Sequence, residues 1–373
     1  MSSSASDKRE RRLRCGFTTG ACAAAAARGA ALMLRDQRRV AQVEIALPAG
    51  FRATFTLHGQ RFDQERAYCF VIKDAGDDPD VTQGVEVHAQ VSLALDTENI
   101  RIHGGPGIGR VTKPGLAVPV GEWAINPVPR RMISEAVLEA FPPQTSPLRP
   151  QVTLSIPDGE QRAAHTLNAR LGILGGLSIL GTSGVVRPIS HQAWTDTLEV
   201  ALDVARAAGC RRVVLSTGRS SEQAAMTALR LREEAFIMMG DFTAFCLDAC
   251  HRKGFAEVIL AAQFAKLVKI ACGHEHTHVR NARLDLAQLA DWAQTLGLDG
   301  SLIKKIEFAN TAREVFCELG SGHPLVDAVA QRALAWMGRR TPGADQAILL
   351  IGYDGTAVRR FGPAGLFTEG TGP

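Results

Sequence analysis

Little in this sequence points to nucleic acid or to a membrane. Aromatic residues make up only 6% of the 373, and the formal net charge is a mild +4. No basic run is interleaved with rings, so the phosphate and stacking contacts of a nucleic-acid binder have no evident source. No uninterrupted apolar window of about 18 residues occurs, which argues against a membrane-spanning helix. The start, MSSSASDKRERR, lacks the apolar segment of a secretory signal, so a cytoplasmic protein is expected. The 8 cysteines are sparse and irregularly spaced, which fits reduced thiols better than a disulfide framework. Cys246 and Cys250 fall on one face of an expected helix, but no second pair completes a zinc site, so packing is their expected role.

What is present is a globular composition, 46% hydrophobic and 21% charged, in a chain long enough for two domains. Residues 1–11 read as a disordered, charged leader and 362–373 as a tail. Alanine is the strongest helix former, so a helix is expected from Ala21 to about Arg35, capped by Thr18 or Thr19. Strands follow at 40–47, 51–57, 68–73 and 85–95, with Val85, Val87, Ala89 and Val91 on one face. Asn126 and Pro127 open a helix, and a hairpin is expected from QVTLSIP through Asp158-Gly159. From about residue 170, short apolar runs (212–216, 236–239, 257–261, 347–352) alternate with amphipathic helices near 191–208, 221–234, 242–253, 281–296, 310–319 and 324–338. The expected fold is therefore α/β: a strand-rich α+β domain over 12–168, then a doubly wound, Rossmann-like domain with a mainly parallel sheet over 169–361. Ligands of such sheets sit at the carboxyl ends of the strands, which draws attention to Thr217-Gly218, Gly240-Asp241, Ala262-Gln263 and Tyr353-Asp354-Gly355.

Five segments can carry chemistry. CGFTTGACAAAAA (15–27) sets Thr18, Thr19 and Gly20 at a helix start; it is a capped core helix or an anion-binding end. KDAGDDPDVTQG (73–84) crowds Asp74, Asp77, Asp78 and Asp80, either as turn chemistry or as a polar ligand loop. The glycine-rich stretch 104–109 is read as a flexible loop with Arg110 and Lys113 beside it; no Gly-Lys-Ser/Thr closes it as a phosphate loop, and five prolines from Pro106 to Pro129 suggest a long rigid wall instead. Gly172, Gly175 and Gly176 follow G-x-x-G-G rather than G-x-G-x-x-G, so they form a weak nucleotide-turn candidate or a tight junction between domains. CGHEHTH places His274, His276 and His278 on one side of an extended chain, a three-imidazole candidate without a spaced fourth ligand; no protein-bound metal is expected.

Taken in order, CGFTTGACAAAAA, KDAGDDPDVTQG, GPGIGRVTKPGLAVPVGEWAINPVPRRMI and NARLGILGGLSILGTSGVV resemble the CbiD family of cobalt-precorrin-5B C-methyltransferases, over about Leu13 to Gly355. The likeness departs at Val279, where the family's step after Thr-His is usually serine, and at Asp241, where asparagine is more usual. It implies methylation of carbon 1 of a contracted tetrapyrrole with S-adenosylmethionine as cosubstrate. Helix-end N–H groups and nearby cations suit the carboxylates of such a substrate, so the candidate substrate-binding residues, which the likeness itself does not assign, are Thr18, Thr19, Gly20, Arg110 and Lys113. Those for the cofactor are Gly172, Gly175, Gly176, Thr217, Gly218, Gly240 and Asp241. Asp74, Asp241 and His278 are candidates for a catalytic base. A cleft between the domains, a homo-oligomer and transient contact with other cobalamin-pathway enzymes are compatible with this reading. Its rivals are a non-catalytic tetrapyrrole carrier, which would not bind the cosubstrate, and a nucleotide-dependent oxidoreductase, which would need a glycine fingerprint and an acidic ribose residue that the sequence lacks.

Overall fold

The computed structural model describes residues 13–94, 100–142, 149–188, 190–278 and 286–368. The expected leader, the end of the tail and the start of the helix anticipated at 281 lie outside these residues. The protein is of mixed α/β type, with sheets of mixed orientation, and its contacts group into two units, Met1–Ser190 and His191–Pro373. Among the described residues no helix is long and apolar enough to cross a membrane.

The first unit is built on the alanine-rich helix Thr19–Asp36. Thr18 caps it, its hydroxyl accepting from the Ala21 N–H at 3.2 Å, and Gln37 ends it in the left-handed region at φ 48°. Ala21 and Ala23 to Ala27 are wholly buried. Because their side chains are single methyl groups, the helix Pro127–Ala140 and the strands Arg66–Ile72 and Glu86–Ala94 all pack closely on it. Those strands belong to a five-stranded sheet in the order His58–Phe62, Arg66–Ile72, Glu86–Ala94, Arg149–Ser155, Arg101–Gly104, antiparallel except for the last pair. The register sets Cys69 opposite Ala89 and Ala89 opposite Leu154, and likewise Ala67, Val91 and Val152, so the period-two apolar positions form one buried face.

Two expectations fail in this unit. The residues after Asp158 form the short helix Gly159–Ala163 instead of the second arm of a hairpin, because Gly159 packs its backbone against Gly107 and the chain turns there. Residues 169–190, expected with the second domain, pair with the first: Ile173–Leu174 with Arg110–Val111, Gly176–Leu177 with Gly107–Ile108, and Val185–Val186 with Gly16–Phe17.

The second unit has a five-stranded sheet in the order Phe236–Met238, Arg212–Ser216, Glu257–Gln263, Asp345–Ile351, Ala357–Phe361, the first four parallel and the last antiparallel. Its near-continuous aliphatic strands are buried on both faces. Val213, Leu215, Leu260 and Leu350 meet the helices His191–Ala207, Thr243–Arg252, Phe264–Ala271 and Pro324–Arg340; Val214, Ile259 and Leu349 meet Arg219–Ala228 and Leu366. Cys246 and Cys250 sit wholly buried in the first of these clusters, where burial pushes the Cys250 thiol up to about 12. The helix expected over 221–234 stops at Ala228, and a 3-10 turn follows at Glu233–Ala235.

Candidate active site

In the first unit the glycine-bearing segments converge. Cys15 bridges Gly76, the Phe17 N–H donates to the Asp74 carbonyl at 2.7 Å, and the Thr18 N–H donates to the Gly184 carbonyl at 3.0 Å. Ala124 donates to the Gly109 carbonyl, and Ile179 to that of Ala124, both at 2.8 Å. The glycines are needed for this closeness. A methyl group built on Gly16 would lie 2.0 Å from the Ala75 carbonyl carbon, and one on Gly176 would lie 2.2 Å from the Gly107 carbonyl oxygen. The stretch 104–109 is thus a close-packed junction and not a flexible loop.

This junction also uses the donors that an anion cradle would need. The Gly20 N–H donates to the Leu180 carbonyl at 3.0 Å, that of Ala21 to the Thr18 hydroxyl, and that of Cys22 to the Thr18 carbonyl at 3.1 Å. Thr18 and Thr19 are buried. The Thr19 hydroxyl accepts from the Leu180 N–H at 3.0 Å and lies 3.3 Å from the Ser178 and Leu180 carbonyl oxygens. An incoming carboxylate would therefore have to displace bonds already made, and Thr18, Thr19 and Gly20 act as a clasp on 178–184. Thr19→Val leaves the Leu180 N–H without its partner and should cost about 1–3 kcal/mol. Urea unfolding checks this; an unchanged midpoint would contradict the clasp.

Asp74 lies beside the clasp. Arg14 donates to both its carboxylate oxygens, to Oδ1 at 2.8 Å, and the Gly76 N–H donates to Oδ1 at 2.9 Å. The Arg14 hydrogen bond, followed by that of Gly76, holds this carboxyl at about 2. So acidic a group is a poor proton acceptor near neutrality. Because the folded value is depressed, the pair's contribution to stability is present above about pH 3.9 and is lost as pH falls toward the folded value. Acid unfolding of the wild type and Asp74→Asn should converge in that window, and parallel curves throughout would refute the assignment. Neighbouring Asp80 binds the buried Lys73 ammonium at 2.6 Å and caps the turn at Thr82.

The Arg110 guanidinium lies 3.9 Å over the Trp123 ring and donates to the Gly121 carbonyl, while Lys113 donates to the Arg170 carbonyl at 3.1 Å. Gly172 packs against the Lys113 side chain, and Gly175, at φ +80°, faces open space. Gly172, Gly175 and Gly176, anticipated at the cofactor, thus all lie in the first unit.

In the second unit, Thr217, Gly218, Gly240, Asp241 and His278 are brought to the carboxyl ends of adjacent parallel strands. The Met239 and Gly240 N–H groups both donate to the Ser216 carbonyl, at 2.9 and 3.2 Å. Gly240 is left-handed at φ +61°. Gly218 is extended, with open space where a side chain would begin. Asp241 accepts from Lys266 and, at 2.7 Å, from the Thr277 hydroxyl; its own carbonyl accepts from the Thr277 N–H at 3.0 Å. The buried Lys269 donates to the Thr277 carbonyl at 2.9 Å. Burial opposes ionisation of Asp241, but the Lys266 and Thr277 hydrogen bonds outweigh it and hold the carboxyl below its ordinary range. Burial, reinforced by Lys266, pushes Lys269 down.

The histidine run does not assemble a metal-binding triad. The His276 ring stacks on His191 at 5.6 Å and meets Phe242 edge-on at 4.7 Å, and its Nδ1 accepts from the His278 N–H. Among the described residues no group of three or more His, Cys, Asp or Glu is placed to hold a metal. Sequence reading missed Lys266, Lys269, His191 and Trp194. The two lysines fall on a helix that continues an apolar strand without a break, and only the fold brings them to residues 241 and 277.

A family model described as CbiD matches residues 6–188, and one described as CbiD, C-terminal domain, matches 276–360. The chain is 55% identical to a cobalt-precorrin-5B C(1)-methyltransferase of Geobacter metallireducens over 361 residues, 93% of this chain and 98% of that protein. It is likewise 55% identical to the protein of the same name from Geobacter sulfurreducens over 356 residues, 93% of this chain and 98% of that protein. A solved structure, the cobalamin biosynthesis protein (cbiD) of Archaeoglobus fulgidus, is 27% identical, covers 77% of this chain and 85% of its own, and superposes with a TM-score of 0.39. With family models matching at both ends and relatives more than half identical along nearly its whole length, the chain belongs to the CbiD family.

Proposed function

We propose that this chain is an S-adenosylmethionine-dependent C-methyltransferase that methylates carbon 1 of cobalt-precorrin-5B, giving cobalt-precorrin-6A, in cytoplasmic cobalamin biosynthesis. The observation that carries this reading is 55% identity, over 93% of the chain, to proteins named for that reaction. The second unit is read as doubly wound and Rossmann-like, since helices cover both faces of its four parallel strands. Its carboxyl-end loops suit an adenosyl donor. The Ser216 and Thr243 hydroxyls are fully buried with no partner among the described residues, and Gly218 leaves room for a close approach.

The sulfonium of the donor supplies an already activated methyl group. What remains for the protein is to hold an electron-rich ring carbon in line with it, which is mainly a matter of position. Thr217, Gly218, Gly240 and Asp241 are proposed to border the donor, and Arg110 and Lys113 to meet the macrocycle's carboxylates. Asp74 and Asp241 are both held ionised by cationic partners, which suits them to positioning. His278 is then the remaining candidate to take up a ring proton. No protein-bound metal enters this account.

Calorimetry with S-adenosylhomocysteine tests the donor reading. Saturable binding is expected. A tetrapyrrole carrier would bind the macrocycle and leave the nucleoside in solution.

A further inference from the structure

Of the 4 tryptophans, Trp292 and Trp336 are buried and Trp123 is covered by the Arg110 guanidinium. Trp194 differs, with 41% of its surface exposed. Yet it is held in place. Its indole N–H donates to the Met239 carbonyl at 3.4 Å, and its ring lies nearly parallel to Phe242, 6.4 Å between centroids and 21° between planes. Phe242 is in turn braced edge-on by His276, which stacks on His191. Rings from three separate stretches of chain thus fix one solvent-facing indole.

The place is informative. Met239 and Gly240 follow the strand Phe236–Met238, at the sheet end where parallel α/β sheets receive ligands. Gly240 runs beside the indole in the left-handed region, and a methyl group there would sit 3.6 Å from the ring. The Gly240 turn therefore lies close beside the Trp194 ring. A fixed, exposed aromatic face next to a glycine turn is suited to stacking a flat heteroaromatic ring at little cost in side-chain freedom.

We infer that Trp194, stacked on Phe242, is the shelf for the adenine ring of the methyl donor. This rests on the proposed function and goes beyond it by naming the residue that reads the nucleoside. An adenine rather than the macrocycle is assigned because one indole matches a bicyclic ring in breadth. The shelf binds through ring faces, so it treats donor and demethylated product alike.

The test uses the full chain and 5′-methylthioadenosine, an uncharged probe that carries the adenine. Trp194→Leu should weaken its binding, measured by calorimetry, about tenfold or more, as expected for losing one base–aromatic stack. Trp194→Phe should keep it within about threefold, and free methionine should compete with neither. The emission lost on replacing Trp194 by Phe should be the part quenched by the probe. Equal affinity in Trp194→Leu overturns the shelf. So does quenching of that emission by a carboxylated porphyrin but not by the nucleoside, which would give the face to the macrocycle. If the wild-type chain binds no adenosyl ligand at all, the donor reading itself falls, and the shelf with it.

Discussion

Gly107→Ala is expected to destabilise the chain by about 3 kcal/mol or more. Gly107 has φ +75°, and a methyl group on it would lie 1.8 Å from the Ile156 carbonyl oxygen, which is backbone and cannot rotate away. The same residue pairs with Gly176, so any outward shift also parts the two segments 104–126 and 168–186. Gly175→Ala is the matched control. Its φ is similar, at +80°, but its Cβ would enter open space, so it should carry only the backbone strain, about 1 kcal/mol. Urea midpoints of the two variants separate clash from strain. If they fall together, close packing at 107 is not what the glycine is for.

Asp241→Ala is expected to lower kcat/KM roughly a hundredfold, the scale of displacing a reacting partner by about 1 Å. It should also cost about 2 kcal/mol of stability, as for charge-assisted hydrogen bonds in a partly buried setting. Removing the carboxylate leaves Lys266 and Lys269 facing each other across Thr277, whose hydroxyl loses its acceptor. The segment 274–278 would then drift from the strand ends. Asp241→Asn keeps an acceptor for Thr277 but not the charge, so its losses should be intermediate. The folded carboxyl lies below its ordinary value, so the stability difference from wild type should be constant near neutrality and shrink as pH falls below about 3.9. A wild-type kcat/KM in Asp241→Ala would remove this residue from the site.

Much of the architecture could be read in advance, for identifiable reasons. The strand Glu86–Ala94 and the alanine-rich helix each show one clean period, and Thr18 and Asn126 stand where a helix must begin. The four parallel strands of the second unit are short aliphatic runs, and they appear within a few residues of expectation. Where two periods merge, the signal is lost. The strand Glu257–Gln263 passes straight into the helix Phe264–Ala271, and the apolar text shows no seam. At the candidate site, the glycines of 104–109 and 172–176 were visible as residues but not as backbone packed on backbone, since a missing Cβ does not name what comes close. Lys266 and Trp194 carried no local mark either. Their partners, Asp241 and Met239, lie 25 and 45 residues away.

Turnover can be followed by supplying the purified chain, without air, with cobalt-precorrin-5B and a donor labelled in its methyl group. The expected product is one methyl group heavier, with the label at carbon 1, and is formed together with stoichiometric S-adenosylhomocysteine. Recovery of the tetrapyrrole unlabelled, from a chain that binds both reactants, would contradict the proposed methyl transfer.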